Sequence, residues 1–315
     1  MHRIRRILVA VKDPHARAQP AVAKGAQLAE AFGARLELFH RVTAPIHVDP
    51  SLAPGIDLDA LQREQCAVIA TRLERIAARI HNDSISVTTH TEWGYPIHEA
   101  IVRRARKIRA DLIVAERHAG KRHAKWLLRF TDWELLRLAD CPVLVVKTGR
   151  PYRKPTILAA IDPGHAHAKP TRLDDGILAA AAALQSRLRG ELHAMHVFQP
   201  TPILAAESAS GGFEIAAQLE QDAEDAAQKR FAQALRGQPV PPRNRHLVLG
   251  QPIDAIPATA RATRAAVVVM GAISRSGIRR LFIGNTAEQV LDELPCDVLV
   301  IKPARPARRT ARRNP

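Results

Sequence analysis

The chain repeats itself. Residues 136–147 read LRLADCPVLVVK and residues 291–302 read LDELPCDVLVIK; at a constant offset of 155, six of the twelve positions are identical. These are Leu136/Leu291, Cys141/Cys296, Val143/Val298, Leu144/Leu299, Val145/Val300 and Lys147/Lys302. Trp93-Gly94-Tyr95-Pro96-Ile97 returns as Leu249-Gly250-Gln251-Pro252-Ile253. Arg6-Ile7-Leu8-Val9-Ala10 returns as Thr156-Ile157-Leu158-Ala159-Ala160, and His40 matches His196. Matches at the start, middle and end of both halves, in the same order, make the protein a duplication, and such a period constrains the fold before any local signal is read. The 315 residues are also too many for one ordinary core, whereas about 150 residues suit one domain. The expected units are 1–150 and 151–302, followed by 303–315.

Each half alternates short apolar runs with longer helical periods. Strands are expected at 7–11, 36–42, 85–91, 111–115 and 143–146, with helices at 16–32, 58–80, 97–109 and 131–138. The second half repeats the order. Its strands fall at 157–161, 192–198, 246–249, 266–270 and 298–301, and its helices near 173–188, 213–235, 252–264 and 285–293. Aromatic residues make up only 4 % of the chain, so the core is built from Ala, Val, Leu and Ile. Strands alternating with helices of ten or more residues imply parallel βαβ units with right-handed crossovers. The fold class is therefore α/β: two tandem five-stranded parallel-sheet domains of Rossmann-like type.

Charge is unevenly spread over the +16 total. Residues 1–150 hold 25 Lys and Arg against 16 Asp and Glu, residues 151–302 hold 17 against 15, and 303–315 hold five arginines and no acid. That last segment, PARPARRTARRNP, has no periodic apolar position and reads as a disordered basic tail. A tail of this kind can touch nucleic acid through counterion release; a solvated extension is the plainer reading. Cys66, Cys141 and Cys296 form neither a CxxC pair nor a disulfide framework, which fits reduced thiols in a cytoplasmic protein. No stretch reaches the roughly 20 apolar residues of a membrane span.

In an open parallel sheet, ligands bind beyond the carboxyl ends of the strands where strand order reverses. In the second half this points to Asp162 and to the loop 271–284, which leads into Asn285 and Thr286. Gly271 lets the chain leave its strand close to a ligand. Gly284, Asn285 and Thr286 offer backbone N–H groups at a helix start, and Arg275, Arg279 and Arg280 add positive charge. The loop is suited to a small anion.

Gly271, Ser274, Gly284 and Asn285 keep the spacing, and two of the four residue types, of the Gly-x2-Gly-x9-Gly-(Ser/Thr) loop of universal stress proteins. The segments 130–137 and 283–290 also resemble the tandem-domain branch of that family, and the likeness extends over residues 1–302. The resemblance implies an adenine nucleotide alpha hydrolase-like fold, a role in stress resistance that includes DNA-damage tolerance, and binding without a defined reaction. It further implies that the two halves dock as an intramolecular pseudo-dimer through their last strands. Ser274 adds a Cβ where the family's backbone approaches phosphate, and Asn285 replaces the small hydroxyl. These departures count against ATP, and the second half is expected to bind either a nucleotide such as ATP or a different phosphorylated ligand. In the first half Glu116 stands in place of Gly271, and its charge disfavours a polyphosphate, so that half is expected to bind no nucleotide.

Other features invite function and fail on chemistry. Among fourteen histidines, His118 with His123 and His165 with His167 lack acidic or thiolate companions at ligand spacing, so no metal is expected. Arg103, Arg104, Arg106, Lys107 and Arg109 lie on one helix without interleaved aromatics, which reads as a solvated face before a nucleic-acid patch. Asp162 is assigned to ligand contact and Asp13 to a turn. No nucleophile elbow, Walker loop or HExxH occurs. A nucleotide-hydrolysing or nucleotidyl-transfer enzyme of the same fold and a nucleic-acid binder stand as the alternatives to a ligand-binding protein.

Overall fold

A computed structural model describes residues 4–43, 57–117, 129–165, 173–199, 212–271 and 285–302. The first half runs β1 (Arg6–Ala10), α1 (Pro20–Phe32), β2 (Arg35–Val42), α2 (Leu58–Ile80), β3 (Val87–Trp93), α3 (Ile97–Ile108), β4 (Leu112–Glu116), α4 (Arg129–Leu138) and β5 (Val143–Val146). The second half runs β6 (Thr156–Ile161), α5 (Leu173–Leu188), β7 (Glu191–Phe198), α6 (Gly212–Ala234), β8 (Arg245–Leu249), α7 (Pro252–Ala262), β9 (Val267–Gly271), α8 (Asn285–Glu293) and β10 (Asp297–Ile301).

Among the described residues the strands form one ten-stranded sheet in the order β3-β2-β1-β4-β5-β10-β9-β6-β7-β8. All neighbours run parallel within each half, while β5 and β10 pair antiparallel. At that seam Leu144 stands opposite Leu299, so the two copies meet at equivalent positions. One apolar cluster packs α1, α2, α5 and α6 on one face of the sheet. A second packs α3, α4, α7 and α8 on the other. Central strands are buried on both faces, which is why they read as continuous Val/Ile/Leu runs.

The first helix begins at Pro20, four residues later than the periodicity suggests. Residues 13–19 are held as a turn instead: the His15 N–H donates to Asp13 Oδ1 at 2.7 Å, and the Gln19 side chain donates to the carbonyls of Asp13 and Ala16. Pro20 at the first helical position loses nothing by lacking an N–H. The helix stops at Gly33, whose φ of 64° is a left-handed conformation that glycine adopts without strain. The corresponding cap after α5 is Arg189, with φ 53°.

Candidate functional site

Strand order reverses between β1 and β4, and again between β6 and β9. These two crests are where an open parallel sheet leaves a crevice. Asp162 follows β6 directly. Its backbone N–H donates to Asp174 Oδ1 at 3.2 Å, at the start of α5, and its carboxylate lies 3.9 Å from His196 Nδ1. The single helical turn 163–165 places Gly164 among these groups. A Cβ there would lie 3.6 Å from Asp162 Oδ1, 3.8 Å from His196 Cε1 and 3.9 Å from Arg230 Nε. Asp162, His196 and Arg230 therefore converge from β6, β7 and α6 on one small backbone turn.

His196 is buried, and its Nδ1 faces the Ile161 carbonyl at 3.3 Å. In the first half His40 Nδ1 meets the Val11 carbonyl at 2.8 Å. A carbonyl only accepts, so each ring donates from Nδ1 and keeps Nε2 free of that bond. Burial, ahead of its neighbours' charges, lowers the pKa of His40, which keeps the ring neutral. The repeated histidine thus ties β2 to the end of β1 and β7 to the end of β6.

Gly271 ends β9. A Cβ at this position would fall 2.5 Å from Leu173 Cδ2, so the close approach visible among the described residues is to the first turn of α5. Ser274, Arg275 and Gly284 lie outside the described residues, as do His118, His123, His167 and the tail 303–315. Asn285 and Thr286 open α8, but their side chains lie outside the description.

The two crests differ chemically. The pairings Ile7↔Leu112 and Ile157↔Val267 make Lys12, and not Asp13, the counterpart of Asp162. The pairings Glu116↔Val146 and Ile301↔Gly271 make Glu116 the counterpart of Gly271. Lys12 Nζ donates to the Arg117 carbonyl at 3.2 Å.

The α3 cations are largely engaged. Arg103 Nη2 meets Glu92 at 2.5 Å, Arg106 Nε meets Asp140 at 2.5 Å, and Arg104 grips Glu37 through two hydrogen bonds of 2.6 and 2.9 Å. A guanidinium already matched by a carboxylate offers little to phosphate. All three cysteines are free thiols, and burial pushes Cys141 up to about 12 and Cys296 up to about 11. Neither supplies a thiolate near neutral pH. Among the described residues no three His, Cys, Asp or Glu side chains group around a metal position, and no helix is long and apolar enough to cross a membrane.

Sequence reasoning missed the groups that join the halves. Lys147 Nζ donates to the carbonyl of Leu291 at 2.8 Å and also to that of Leu294, at the carboxyl end of α8. Lys302 Nζ reciprocates with the carbonyls of Leu136 and Arg137 at the end of α4. Each lysine caps the other half's last helix, satisfying orphan carbonyls at the negative end of the dipole. Burial is the main cause lowering both pKa values to about 8. Their identity in the repeat was the available signal.

A second junction has no counterpart. Asp297 is fully buried and accepts from Lys24 Nζ at 2.8 Å, Tyr152 Oη at 2.7 Å and the backbone N–H groups of Lys147 and Thr148 at 2.9 and 3.1 Å. Lys24 also sits 3.5 Å over the Tyr152 ring. Pro142 and Ala180 occupy the mirrored places of Asp297 and Lys24, so this network exists once.

Comparison with known proteins agrees with this architecture. The profile of the Universal stress protein family matches residues 3–147 and again 156–302. Universal stress protein E of Escherichia coli (strain K12) is 26 % identical over 298 residues, spanning 94 % of this chain and 93 % of that one. The Haemophilus influenzae homolog of universal stress protein E is 25 % identical, spanning 95 % and 97 %. A solved structure of a functionally unknown protein from Pseudomonas aeruginosa PAO1 superposes with a TM-score of 0.69 at 28 % identity, covering 95 % of this chain and 93 % of that one. One from Archaeoglobus fulgidus, a universal stress protein, shares the fold with a TM-score of 0.62 at 18 % identity, covering 95 % and 96 %. With both halves matched end to end, the chain belongs to the universal stress protein family, as two such units in tandem.

Proposed function

We propose that this protein works by binding without turnover: its second half holds a small anionic or nucleotide-like ligand at the β6/β9 crest, and its first half serves as the built-in partner of an intramolecular pseudo-dimer. The observation that carries the reading is the convergence of Asp162, His196 and Arg230 on the turn at Gly164. A carboxylate suits ribose or base donors, and a guanidinium suits an oxyanion. The loop residues Ser274, Arg275 and Gly284, with Asn285 and Thr286 at the start of α8, complete the proposed phosphate side. The antiparallel β5–β10 pairing and the reciprocal lysine caps support the pseudo-dimer. Three free thiols suit a reducing cytoplasm, where such a protein would contribute to stress resistance.

The test is calorimetric titration of the full chain with ATP, alongside the Asp162→Ala and Arg230→Gln variants. Saturable binding weakened about tenfold or more by either substitution supports the reading. Absence of binding, or variants that bind like the parent, contradicts it. Gly271→Val is a poor probe, because the added atoms collide with Leu173 whether or not a ligand binds. A nucleic-acid reading finds little support in α3, whose Arg103, Arg104 and Arg106 already hold carboxylates.

A further inference from the structure

The amino ends of three neighbouring strands in the second half carry a row of cations. β9, β6 and β7 lie side by side, with Ile157 paired to Val267 and Thr156 to Glu191. Counted back along that register, Lys154 falls level with both Arg264 and Arg189. The ladder continues toward them: the Glu191 N–H donates to the Pro155 carbonyl at 2.9 Å, and the Ala266 N–H donates to the Thr156 carbonyl at 2.8 Å. Arg189 arrives from α5 on one face of the sheet and Arg264 from α7 on the other. Arg153 precedes Lys154, and Arg243 leads into β8, the next strand. All five residues are exposed.

Backbone, charge and asymmetry set this row apart from an ordinary solvated surface. Lys154, Arg189 and Arg264 hold left-handed backbone, with φ of 45°, 53° and 52°, a conformation that glycine adopts without strain and a long side chain does not. A cation after a helix complements the dipole, which accounts for Arg189 and Arg264 but not for Lys154 or Arg153, which follow no helix. Of the five, only Arg243 has a carboxylate partner among the described residues, Glu191 at 3.9 Å, and Glu191 is itself held by Asn244 at 2.9 Å. The mirrored places in the first half are Ile4, Gly33 and Arg109, and Ile4 is buried. The row therefore exists once, in the half with the smaller net charge. The exposed large apolar side chains of the described residues are Leu58, Val68, Tyr95, Leu219 and Leu249, none of them at these strand starts. The patch thus offers neither a stacking platform for bases nor an anchor for a lipid layer.

We infer that this row is a docking surface for the phosphate backbone of a nucleic-acid duplex, bound without reading its sequence. Lys154, Arg189 and Arg264 contact the phosphates, and Arg153 and Arg243 extend the contact. The attraction comes from released counterions, and such backbone contacts carry no base information. The row lies at the amino ends of its strands, whereas the β6/β9 crest lies at their carboxyl ends. It stands or falls separately from ligand binding at that crest.

Fluorescence anisotropy of a labelled, random-sequence DNA duplex, titrated with the full chain at stepped salt, tests it. Binding is expected in the micromolar range at low salt. Lys154→Gly, Arg189→Gly and Arg264→Gly combined should weaken it about tenfold or more and reduce the slope of log affinity against log salt by about 2–3. Glycine accepts each left-handed position, so this triple variant should melt no lower than the parent, which separates lost binding from lost folding. Arg153→Gln with Lys154→Gln, outside any helix, is a second variant that should also weaken binding. Arg63→Gln, Arg75→Gln and Arg79→Gln combined, on α2, remove the same charge as the glycine triple and should bind as the parent does. No salt-dependent duplex binding, parent-like binding by the glycine triple, or equal weakening by the two triples would overturn the inference. Binding of phosphatidylglycerol vesicles in preference to the duplex would overturn it too.

Discussion

The halves share a strand order and differ at the crest and at the seam. At the crest, Asp162 and Gly271 of the second half take the places held by Lys12 and Glu116 in the first, so one carboxylate and one bare backbone are exchanged for a cation and an anion. At the seam, the two lysine caps are symmetric, but the Asp297–Lys24–Tyr152 network is single. The differences fall at strand ends: Glu116 and Gly271 close β4 and β9, and Asp297 opens β10. The halves are therefore two similar frames with different chemistry.

The largest expected effect tests the single-copy network. Asp297→Ala leaves the Lys24 ammonium buried without its carboxylate, which typically costs about 3–5 kcal/mol. Pro142→Ala, at the mirrored position, should change stability by less than about 1 kcal/mol. Urea denaturation of the two variants measures the contrast. Similar losses would mean the seam is energetically symmetric after all.

Next in size are the lysine caps. Lys147→Met and Lys302→Met should each cost about 1–2 kcal/mol, as expected for a lost charged hydrogen bond to a helix end. Equal losses would show that the seam treats the halves alike. Their pH dependence has a definite sign. Each native pKa is lowered from 10.5 to about 8, so between those values the unfolded chain binds more protons than the folded one. Stability contributed by these groups therefore rises as pH goes from about 8 to about 10.5. A neutral amine can still donate to the carbonyls it caps. The parent should gain on the double methionine variant over that range in thermal melts at stepped pH. A parent that loses ground there would mean the caps need the charge.

The smallest effect concerns helix ends. Gly33 and Arg189 both hold left-handed backbone, but only one is glycine. Arg189→Gly should stabilise by up to about 1 kcal/mol, and Gly33→Ala should destabilise by a similar amount. Differential scanning calorimetry resolves the pair; shifts of the same sign would show that local packing outweighs backbone strain.

The fold was legible because its signals are local. Val143–Val146, Leu58–Ile80 and Leu173–Leu188 follow from apolar runs and helical period. The turn at Asp13 was legible, but its continuation to Gln19 was not, because the Gln19 side chain bonds the carbonyls of Asp13 and Ala16 in a way that periodicity cannot register. At the candidate site, Asp162 was visible as the residue beyond a strand. Arg230 was not, since it lies on a long polar helix and reaches the crest only through the packing of α6. Lys24 is buried on the apolar side of α1 with Ala21, Val22, Leu28 and Ala29. Its partner is 273 residues away, and no local pattern can supply that.

The central claim is that nucleotide-type binding belongs to one crest and not the other. Calorimetric titration of ATP into the full chain, compared between Asp162→Ala and Lys12→Ala, tests it directly. The account predicts that Asp162→Ala loses binding and that Lys12→Ala binds ATP as the parent does. Loss in Lys12→Ala with full binding in Asp162→Ala would place the nucleotide in the first half and contradict it.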